Sequence, residues 1–307
     1  MLIAVTGASG FVGGSIARAL AANGHRVMSY GRRPLGAVRT TLPDYRAWDI
    51  ARGPIAAPHV DAVIHCAAMV GDWGSGRAYH AVNVRGTYAV LESFASAGRF
   101  IHVSTTSVYS DDVPVVNVNE DAPVGDCAHS AYGRSKAEAE RVLLTAGRPV
   151  IVLRPHVVYG PGDTTLLPRL LAAERFGQVP VPGTGRNRLS VTHVGNLAIA
   201  VERALHAPVV RGVFNVSDAE SPTVDALLTT VLARVGSRAR LRYVSRRTAW
   251  KAATLCEWLW RMGRMKQPPP LTRYVVAQLA DEHTVDITRA REQLGYLPRW
   301  CYQDGPL

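Results

Sequence analysis

A tyrosine and a lysine four residues apart, Tyr132 and Lys136, have the residue types and spacing of an acid–base pair. They lie in SAYGRSKAEAE, which has the pattern of a helix, so both side chains are expected on one helical face. Free tyrosine, with a pKa of about 10, is a poor acid–base catalyst at neutral pH. A neighbouring ammonium group, together with a cationic nicotinamide, favours the phenolate and would lower that pKa. We therefore predict that Tyr132 transfers a proton and that Lys136 tunes it.

The choice of lysine at this position is informative in itself. The chain has 35 lysines and arginines together, and only Lys136, Lys251 and Lys266 are lysines. An ammonium is compact and carries three rotating donors, so it can contact ribose hydroxyls as well as the phenol. The planar fork of arginine is wider and points its donors differently. We predict that arginine cannot replace lysine at position 136.

Three glycines in VTGASGFVGG stand between an apolar run and a helical pattern: Gly7, Gly10 and Gly13. At such a junction the first glycine permits a tight turn, the second lets backbone approach a pyrophosphate, and the third lets helix pack against strand. The first N–H groups of the helix then face the phosphates. The motif opens a strand–helix–strand unit, so it predicts a dinucleotide-binding loop.

The end of the second strand pattern, HRVMSY, indicates which dinucleotide binds. Sites that prefer NAD usually have Asp or Glu there, which accepts hydrogen bonds from the ribose hydroxyls. Here Tyr30 and Gly31 are followed by Arg32 and Arg33, with no acid nearby. Two guanidinium groups can bond a 2′-phosphate through paired N–H groups. We predict NADP(H) in preference to NAD(H); the alternative is that both arginines only contact solvent.

The elements that must position these residues follow from the alternation of patterns in the first half. Apolar runs are separated by helix-length segments, and continuous apolar runs are typical of strands buried on both faces of a parallel sheet. This alternation predicts an α/β fold with a doubly wound parallel Rossmann sheet. The strand patterns are LIAVTG, HRVMSY, VDAVIHCAAM, RFIHVSTTSVY and PVIVLRPHVVYG.

After Gly160 the alternation ends, and GVFNVSD is a short, isolated strand pattern. We predict an NADP-binding Rossmann domain formed by residues 1–155 and 190–217. Residues 156–189 and 218–307 are expected to form a smaller C-terminal substrate-binding lobe. Within the lobe, the tryptophan-rich helical pattern of residues 246–264 has three interpretations: lobe core, wall of the substrate pocket, or membrane-facing surface.

Composition limits the class of protein. The net charge of +11 comes from arginines dispersed along the chain, which favours a solvated surface over a nucleic-acid site. No apolar run reaches the ~20 residues of a membrane span, and an apolar strand starting at Leu2 leaves no room for a signal peptide. We expect a cytoplasmic protein with no integral membrane association, no nucleic-acid partner, no metal and free thiols, because the four cysteines are widely spaced. These are Cys66, Cys127, Cys256 and Cys301.

The motifs TGASGFVG, AYGRSK and LRPHVVYGPGD together resemble the extended short-chain dehydrogenase/reductase superfamily, which includes NAD(P)-dependent epimerases and dehydratases. The resemblance covers essentially the whole chain. It implies a nicotinamide cofactor and a hydroxyl residue that completes a triad with Tyr132 and Lys136. In STTSVY the family pattern places that hydroxyl at Thr105, with Thr106 and Ser107 as alternatives.

The same resemblance implies which residues surround the ligands. Family members often have Asn-Ala-Ala where this chain has Cys66-Ala67-Ala68, and glycine where Ser110 follows Tyr109, so the loop over the site departs from the pattern. The implied cofactor residues are Gly7, Ser9, Gly10, Phe11, Val12, Gly13, Arg32, Arg33, Asp49, Ile50, Cys66, Ala67, Ala68, Asn83, Tyr132, Lys136, Pro155 and Val158. The implied substrate residues are Met69, Trp73, Thr106, Ser107 and His156.

Two longer segments, AAMVGDWGSGRAYHAVNVRGT and PPPLTRYVVAQLADEHTVDITRAREQLGYLP, are similar to the branch of 3β-hydroxysteroid dehydrogenases and 2-alkyl-3-ketoacid reductases. This likeness implies an enzyme that acts on a hydrophobic ketone or alcohol. With the cofactor predicted from Arg32 and Arg33, we expect an NADP(H)-dependent oxidoreductase, and the family allows a homodimer. Two alternatives remain. One is a nucleotide-sugar epimerase, dehydratase or 4-ketoreductase, for which Arg186 and Arg188 could hold a diphosphate. The other is a non-catalytic dinucleotide sensor.

Overall fold

The apolar strand patterns of the first half become the strands of one parallel seven-stranded sheet. The computed structural model describes residues 1–37, 42–109, 115–125, 130–164, 166–265 and 267–306. Ser110, Cys127 and Lys266, named above, lie outside these ranges. The strands are β1 Leu2–Thr6, β2 Arg26–Gly31, β3 Tyr45–Ala47, β4 Ala62–His65, β5 Arg99–Val103, β6 Val150–Pro155, β7 Val158–Tyr159, β8 Gln178–Pro182, β9 Thr192–His193, β10 Gly212–Val216 and β11 Arg240–Val244.

The order of strands in the sheet is β10-β6-β5-β4-β1-β2-β3. The chain runs outward from β1 through β2 and β3, and then returns to the other side of β1 with β4. Open α/β sheets bind ligands at the carboxyl ends of strands where the order reverses in this way. Thr6 and His65, the last residues of β1 and β4, are register partners. The loops that begin at Gly7 and Cys66 therefore start side by side.

Helices cover both faces of the sheet, which confirms the doubly wound Rossmann fold. On one face α1 packs on α6, and Ile16 and Leu197 join one apolar cluster. On the other face Phe94 and Phe100 belong to a second cluster. The helices are α1 Phe11–Ala22, α2 Gly76–Tyr79, α3 Gly86–Ser93, α4 Ala131–Leu144, α5 Leu166–Ala172, α6 Val194–His206, α7 Val224–Arg234, α8 Arg246–Met262, α9 Arg273–Ala280 and α10 Thr288–Leu294.

The structure adds detail to two segments of the sequence. GVFNVSD, which is isolated in the sequence, forms β10 and pairs in parallel with β6 at the edge of the main sheet. The helical segment after β4 is divided into α2 and α3 by a π-helical turn, His80–Arg85. Such turns are rare within helices and often occur at functional sites. The predicted site residue Asn83 lies in this turn.

The later elements form a smaller lobe beside the sheet, as predicted. Its two-stranded sheet pairs β8 with β11, and Val179, Val181 and Leu228 belong to its apolar cluster. The last helix, α10, leaves the lobe, because Ala290 and Leu294 join the core on one face of the main sheet. The numerical domain boundaries given above stay a prediction.

The tryptophan-rich pattern forms α8, and its tryptophans have different environments: Trp250 is partly buried against a small apolar cluster, and Trp258 faces outward. Ala249 and Ala253 are buried in a small cluster with Val276 of α9, whereas Trp258 is 55% exposed. Among the described residues, no helix has the length and apolar character needed to cross a membrane.

Candidate active site

A cleft with a volume of about 710 Å³ lies at the carboxyl ends of β1, β2, β4 and β5, where the strand order reverses. It extends to α4, α5 and α9. Three predicted site residues, Asn83, Trp73 and Thr106, are not in its wall. The predicted residues that line it are Gly7, Ser9, Gly10, Phe11, Val12, Gly13, Arg32, Arg33, Asp49, Ile50, Cys66, Ala67, Ala68, Met69, Thr105, Ser107, Tyr132, Lys136, Pro155, His156 and Val158.

The glycine loop is packed too tightly for side chains. Gly7 has a φ of +73°, and a Cβ there would lie 2.6 Å from the backbone nitrogen of Ala67. A Cβ on Gly13 would lie 2.4 Å from the carbonyl oxygen of Gly7. Gly10 precedes α1 with no side-chain cap, so the first N–H groups of that helix are left for a ligand. This arrangement fits the pyrophosphate of a dinucleotide.

Arg32 and Arg33 line the cleft just beyond β2. Both side chains are exposed, and among the described residues neither guanidinium has an ion-pair partner. The backbone of Arg33 is held by Tyr45, whose hydroxyl donates to its carbonyl oxygen at 2.7 Å. Asp49 is oriented by accepting a hydrogen bond from the backbone N–H of Ala51 at 3.1 Å. The two guanidinium groups are available to an anionic substituent of the cofactor.

Helix α4 brings Tyr132 and Lys136 into the cleft together. The helix begins at a cap in which the Ser130 hydroxyl accepts from a backbone N–H at 2.9 Å. Lys136 is 2% exposed, and its ammonium donates to the Val103 carbonyl at 2.8 Å and lies 2.9 Å from Nε2 of His102. Burial lowers the pKa of Lys136 to about 8, although nearby acidic groups act in the opposite direction.

Burial controls the protonation of the Tyr132 phenol in the protein alone. Burial raises its pKa above the usual value, with a further contribution from Tyr274, while a hydrogen bond with Thr105 acts in the opposite direction. In the protein alone the ammonium of Lys136 is bound to β5, and the expected lowering of this pKa by Lys136 together with a cationic nicotinamide stays a prediction. In the protein alone Tyr132 is therefore a protonated phenol at neutral pH, the form that can donate a proton.

Hydroxyl groups meet at the end of β5 opposite Tyr132. Thr105 donates to the Ser107 hydroxyl at 3.1 Å, and the Ser107 oxygen lies 2.9 Å from the hydroxyl of Tyr274. Thr106 lies behind this group, with its hydroxyl oxygen 2.5 Å from Nδ1 of His156. The structure thus brings Thr105 and Ser107 to the cleft, and leaves Thr106 to orient a buried imidazole in its wall.

Asn83 and Trp73 also lie behind the cleft wall. The Asn83 amide accepts from the backbone N–H of Met69 at 2.7 Å and donates to the Ser135 hydroxyl at 2.8 Å. It therefore connects the loop after β4 to α4. The Trp73 indole N–H donates to the carbonyl oxygen of Met265 at 3.2 Å, which connects the same loop to the end of α8.

A buried ion pair fixes α4 on the sheet. Glu140, one turn beyond Lys136, lies 2.6 Å from the Arg154 guanidinium of β6, and each side chain is 3% exposed. The Ser104 hydroxyl donates to the same carboxylate. Removal of one partner would leave a buried charge unpaired, so the contact holds the helix in place.

Sequence reasoning missed the part of the wall that comes from the small lobe. Tyr274 and Arg169 line the cleft, and so does Asp72. The Asp72 carboxylate, 4% exposed, accepts from Arg169 at 2.6 Å and from the Thr272 hydroxyl at 2.7 Å. Tyr274 lies in one of the segments that carried the family resemblance. No spacing in the sequence indicates that Tyr274 contacts Ser107, which lies 167 positions earlier.

Two predictions concern cysteines and metals. Among the described residues, Cys66, Cys256 and Cys301 are free, and burial raises the pKa of Cys66 to about 12, so the group in the cleft wall is a thiol. A cluster that could hold a metal lies outside the cleft wall: His25 and His206 flank Glu202, and its ligand atoms lie within 4.8 Å of one another. The predicted absence of a metal stays a prediction.

Comparisons with known proteins agree with this geometry. Residues 3–217 match the model of the NAD dependent epimerase/dehydratase family. The chain is 32% identical to a 2-alkyl-3-oxoalkanoate reductase of Stenotrophomonas maltophilia (strain K279a), over 99% of this chain and 97% of that protein. It is 28% identical to a 3 beta-hydroxysteroid dehydrogenase/Delta 5-->4-isomerase of Mycobacterium tuberculosis (strain CDC 1551 / Oshkosh), over 98% of this chain and 87% of that protein. These relatives confirm the branch inferred from the motifs.

A solved structure shows the same fold. MoeE5 in complex with UDP-glucuronic acid and NAD matches with a TM-score of 0.75 and 25% identity, over 99% of this chain and 96% of that chain. The family match, the reductase and dehydrogenase relatives and the shared fold lead to one conclusion. The chain belongs to the NAD dependent epimerase/dehydratase family and is an NAD(P)-dependent enzyme of the extended short-chain dehydrogenase/reductase type.

Proposed function

We propose that the protein is an NADP(H)-dependent reductase of hydrophobic ketones, working through Thr105, Tyr132 and Lys136. The observation that carries the proposal is one cleft that contains all three side chains, the glycine loop and the Arg32–Arg33 pair. A dinucleotide on the loop would extend from these arginines toward Lys136. This accounts for a bound cofactor and a proton donor in the same site.

The chemistry divides between cofactor and protein. The glycine loop, Arg32, Arg33 and Lys136 would hold the dinucleotide, which when bound would supply a hydride to the carbonyl carbon. Tyr132 donates its phenolic proton to the carbonyl oxygen, and the Thr105 hydroxyl orients that oxygen. Lys136 holds the ribose from its anchored position on β5. Because burial raises the pKa of Tyr132, the phenol is protonated before reaction and can donate its proton to the carbonyl oxygen.

The substrate end of the cleft favours a compound with a large apolar part. Met69, Val70 and Val157 line it, and burial lowers the pKa of His156 to about 3, so that imidazole is neutral. The cation of the small lobe in this wall, Arg169, is already bound to a carboxylate. The relatives include a 2-alkyl-3-oxoalkanoate reductase, whose name describes an alkyl-substituted keto acid.

A nucleotide-sugar enzyme is the second candidate, because matching structures such as MoeE5 hold UDP-sugars. Such a substrate needs cations for its diphosphate. Arg186 and Arg188, the residues suggested for that role, are exposed and are not in the wall of the cleft. This observation favours the ketone reductase. A non-catalytic sensor is disfavoured by the complete Thr–Tyr–Lys set.

Nicotinamide absorbance tests the proposal directly. NADPH should be consumed with 2-alkyl-3-oxo acids or bulky apolar ketones, with higher kcat/KM than with nucleotide-linked keto-sugars. Sugar turnover without net absorbance change would establish the epimerase instead. No turnover across both panels, with NADPH still bound, would establish the sensor. A homodimer and a cytoplasmic location stay predictions.

A further inference from the structure

Helix α8 has one buried face and one exposed apolar face. Ala249, Ala253 and Glu257 recur every four residues and pack toward α9. The opposite face has four large apolar side chains spaced three or four residues apart, which places them in a row along the helix. We call these four residues the α8 stripe: Leu255 (57% exposed), Trp258 (55%), Leu259 (48%) and Met262 (69%).

The charges on α8 are distributed in a way that complements an anionic surface. The helix has one acidic residue, Glu257, which is buried and bound to Arg273 at 3.0 Å. Arg247 and Lys251 are exposed about two turns and one turn before the first residue of the stripe. Because successive residues are 100° apart around a helix, Lys251 falls on the same side as Leu255, one turn away. The exposed charges of α8 itself are therefore all positive.

The helix ends beside the mouth of the cleft. The backbone of Met265, three residues past α8, accepts from the Trp73 indole, and Arg261 lies over the Trp73 ring at 5.6 Å. Trp73 follows Asp72, which is in the cleft wall. A surface bound by α8 would therefore lie close to the cleft wall at Asp72.

We propose that the α8 stripe docks on the surface of an anionic lipid bilayer. A helix with large apolar residues on one side and basic residues around them lies in the membrane interface, with its apolar side chains among the acyl chains. Negatively charged lipids add attraction for each nearby lysine or arginine. The helix rests on the bilayer and does not cross it. If the proposed function is correct, docking places the cleft where apolar ketones dissolve.

Vesicle flotation of the full chain tests the proposal, with no substrate or cofactor present, so its result is independent of the proposed function. The protein should float with phosphatidylcholine vesicles containing roughly 30 mol% phosphatidylglycerol, and far less with phosphatidylcholine alone. Changing Leu255, Trp258, Leu259 and Met262 together to Gln should weaken binding at least about tenfold, because apolar burial is removed. The double change Arg247→Glu with Lys251→Glu should weaken it similarly. Circular dichroism should show that both variants fold.

Matched controls distinguish vesicle binding through α8 from vesicle binding caused by apolar side chains or positive charge elsewhere on the surface. Val210→Gln with Leu297→Gln removes two apolar side chains that are 45% and 65% exposed elsewhere, and should leave vesicle binding unchanged. Arg18→Glu with Arg203→Glu makes the same change in net charge on the Rossmann domain and should have less effect than the α8 pair. The proposal would be overturned if the stripe variant bound vesicles as well as the unaltered protein does, or if the unaltered protein did not bind them. Self-association in sedimentation that the stripe variant loses without any vesicle binding would also overturn it, and would assign the stripe to a second copy of the chain.

Discussion

The ammonium of Lys136 lies 2.9 Å from Nε2 of His102, beneath the cleft. Because the lysine also donates to the Val103 carbonyl, it is held by the strand rather than by the helix that carries it. His102 is 1% exposed, and burial, with Lys136 and His65 nearby, holds its pKa well below the usual value. A neutral imidazole that accepts at Nε2 carries its proton on Nδ1, which has no hydrogen-bond partner among the described residues. His102 is thus a positioning residue for Lys136.

Reduction should slow as pH rises through about 8, because the lowered pKa of Lys136 means that the ammonium is lost there. The protonated form dominates below that pH, and the phenol of Tyr132 loses its proton only at higher pH. His102→Phe removes a hydrogen-bond acceptor from the buried ammonium and so should lower the pKa of Lys136. The pH at which the rate falls should therefore shift to a lower value. His102→Gln retains an acceptor, so the rate should fall at nearly the same pH as in the unaltered protein. Profiles of kcat/KM against pH would measure this, and identical profiles for the two variants would exclude the positioning role.

Tyr132→Phe should reduce turnover at least ~10²-fold, because it removes the proton donor and keeps the ring. NADPH binding, followed by fluorescence titration, should change little. Tyr88→Phe is the control, since Tyr88 is 59% exposed and should tolerate the change. Wild-type turnover in the Tyr132 variant would show that another group donates the proton.

Lys136→Arg should also be inactive, although the charge is kept. The side chain is almost fully buried between α4 and β5, and a planar guanidinium cannot reproduce the contacts with His102 and Val103 while reaching the ribose. Steady-state turnover and the KM for NADPH would measure the effect. Lys251→Arg changes an exposed lysine in the same way, and as the matched control it should leave turnover and the KM for NADPH unchanged. Full activity of the position-136 variant would contradict the requirement for lysine.

NADPH should bind at least ~10-fold more tightly than NADH, a difference of about 1.4 kcal/mol. Arg32→Ala with Arg33→Ala should remove most of this preference and leave NADH binding nearly intact, because only the 2′-phosphate contact is lost. Arg26→Ala, an exposed change at the other end of β2, should preserve the preference. Calorimetric titration with each cofactor measures the preference. Equal affinities for NADPH and NADH in the unaltered protein would refute the NADP(H) assignment.

Local patterns were enough to predict the sheet, the glycine loop and the Tyr132–Lys136 helix. Each depends on residues close in sequence: apolar runs for buried strands, three glycines at one junction, and two side chains one helical turn apart. The same is true of Arg32 and Arg33, which follow the strand that places them. Sequence alone therefore determined the fold class and one side of the cleft.

The tertiary structure decided the contacts made across long separations. No local pattern shows that GVFNVSD completes the main sheet, that Tyr274 meets Ser107, or that Lys136 is bound to His102 of another strand. It also decided that the apolar side of α8 faces outward, because a helical pattern shows which residues share a face but not what that face contacts. Burial sets the pKa values of Tyr132 and Lys136, and burial depends on how distant segments pack together.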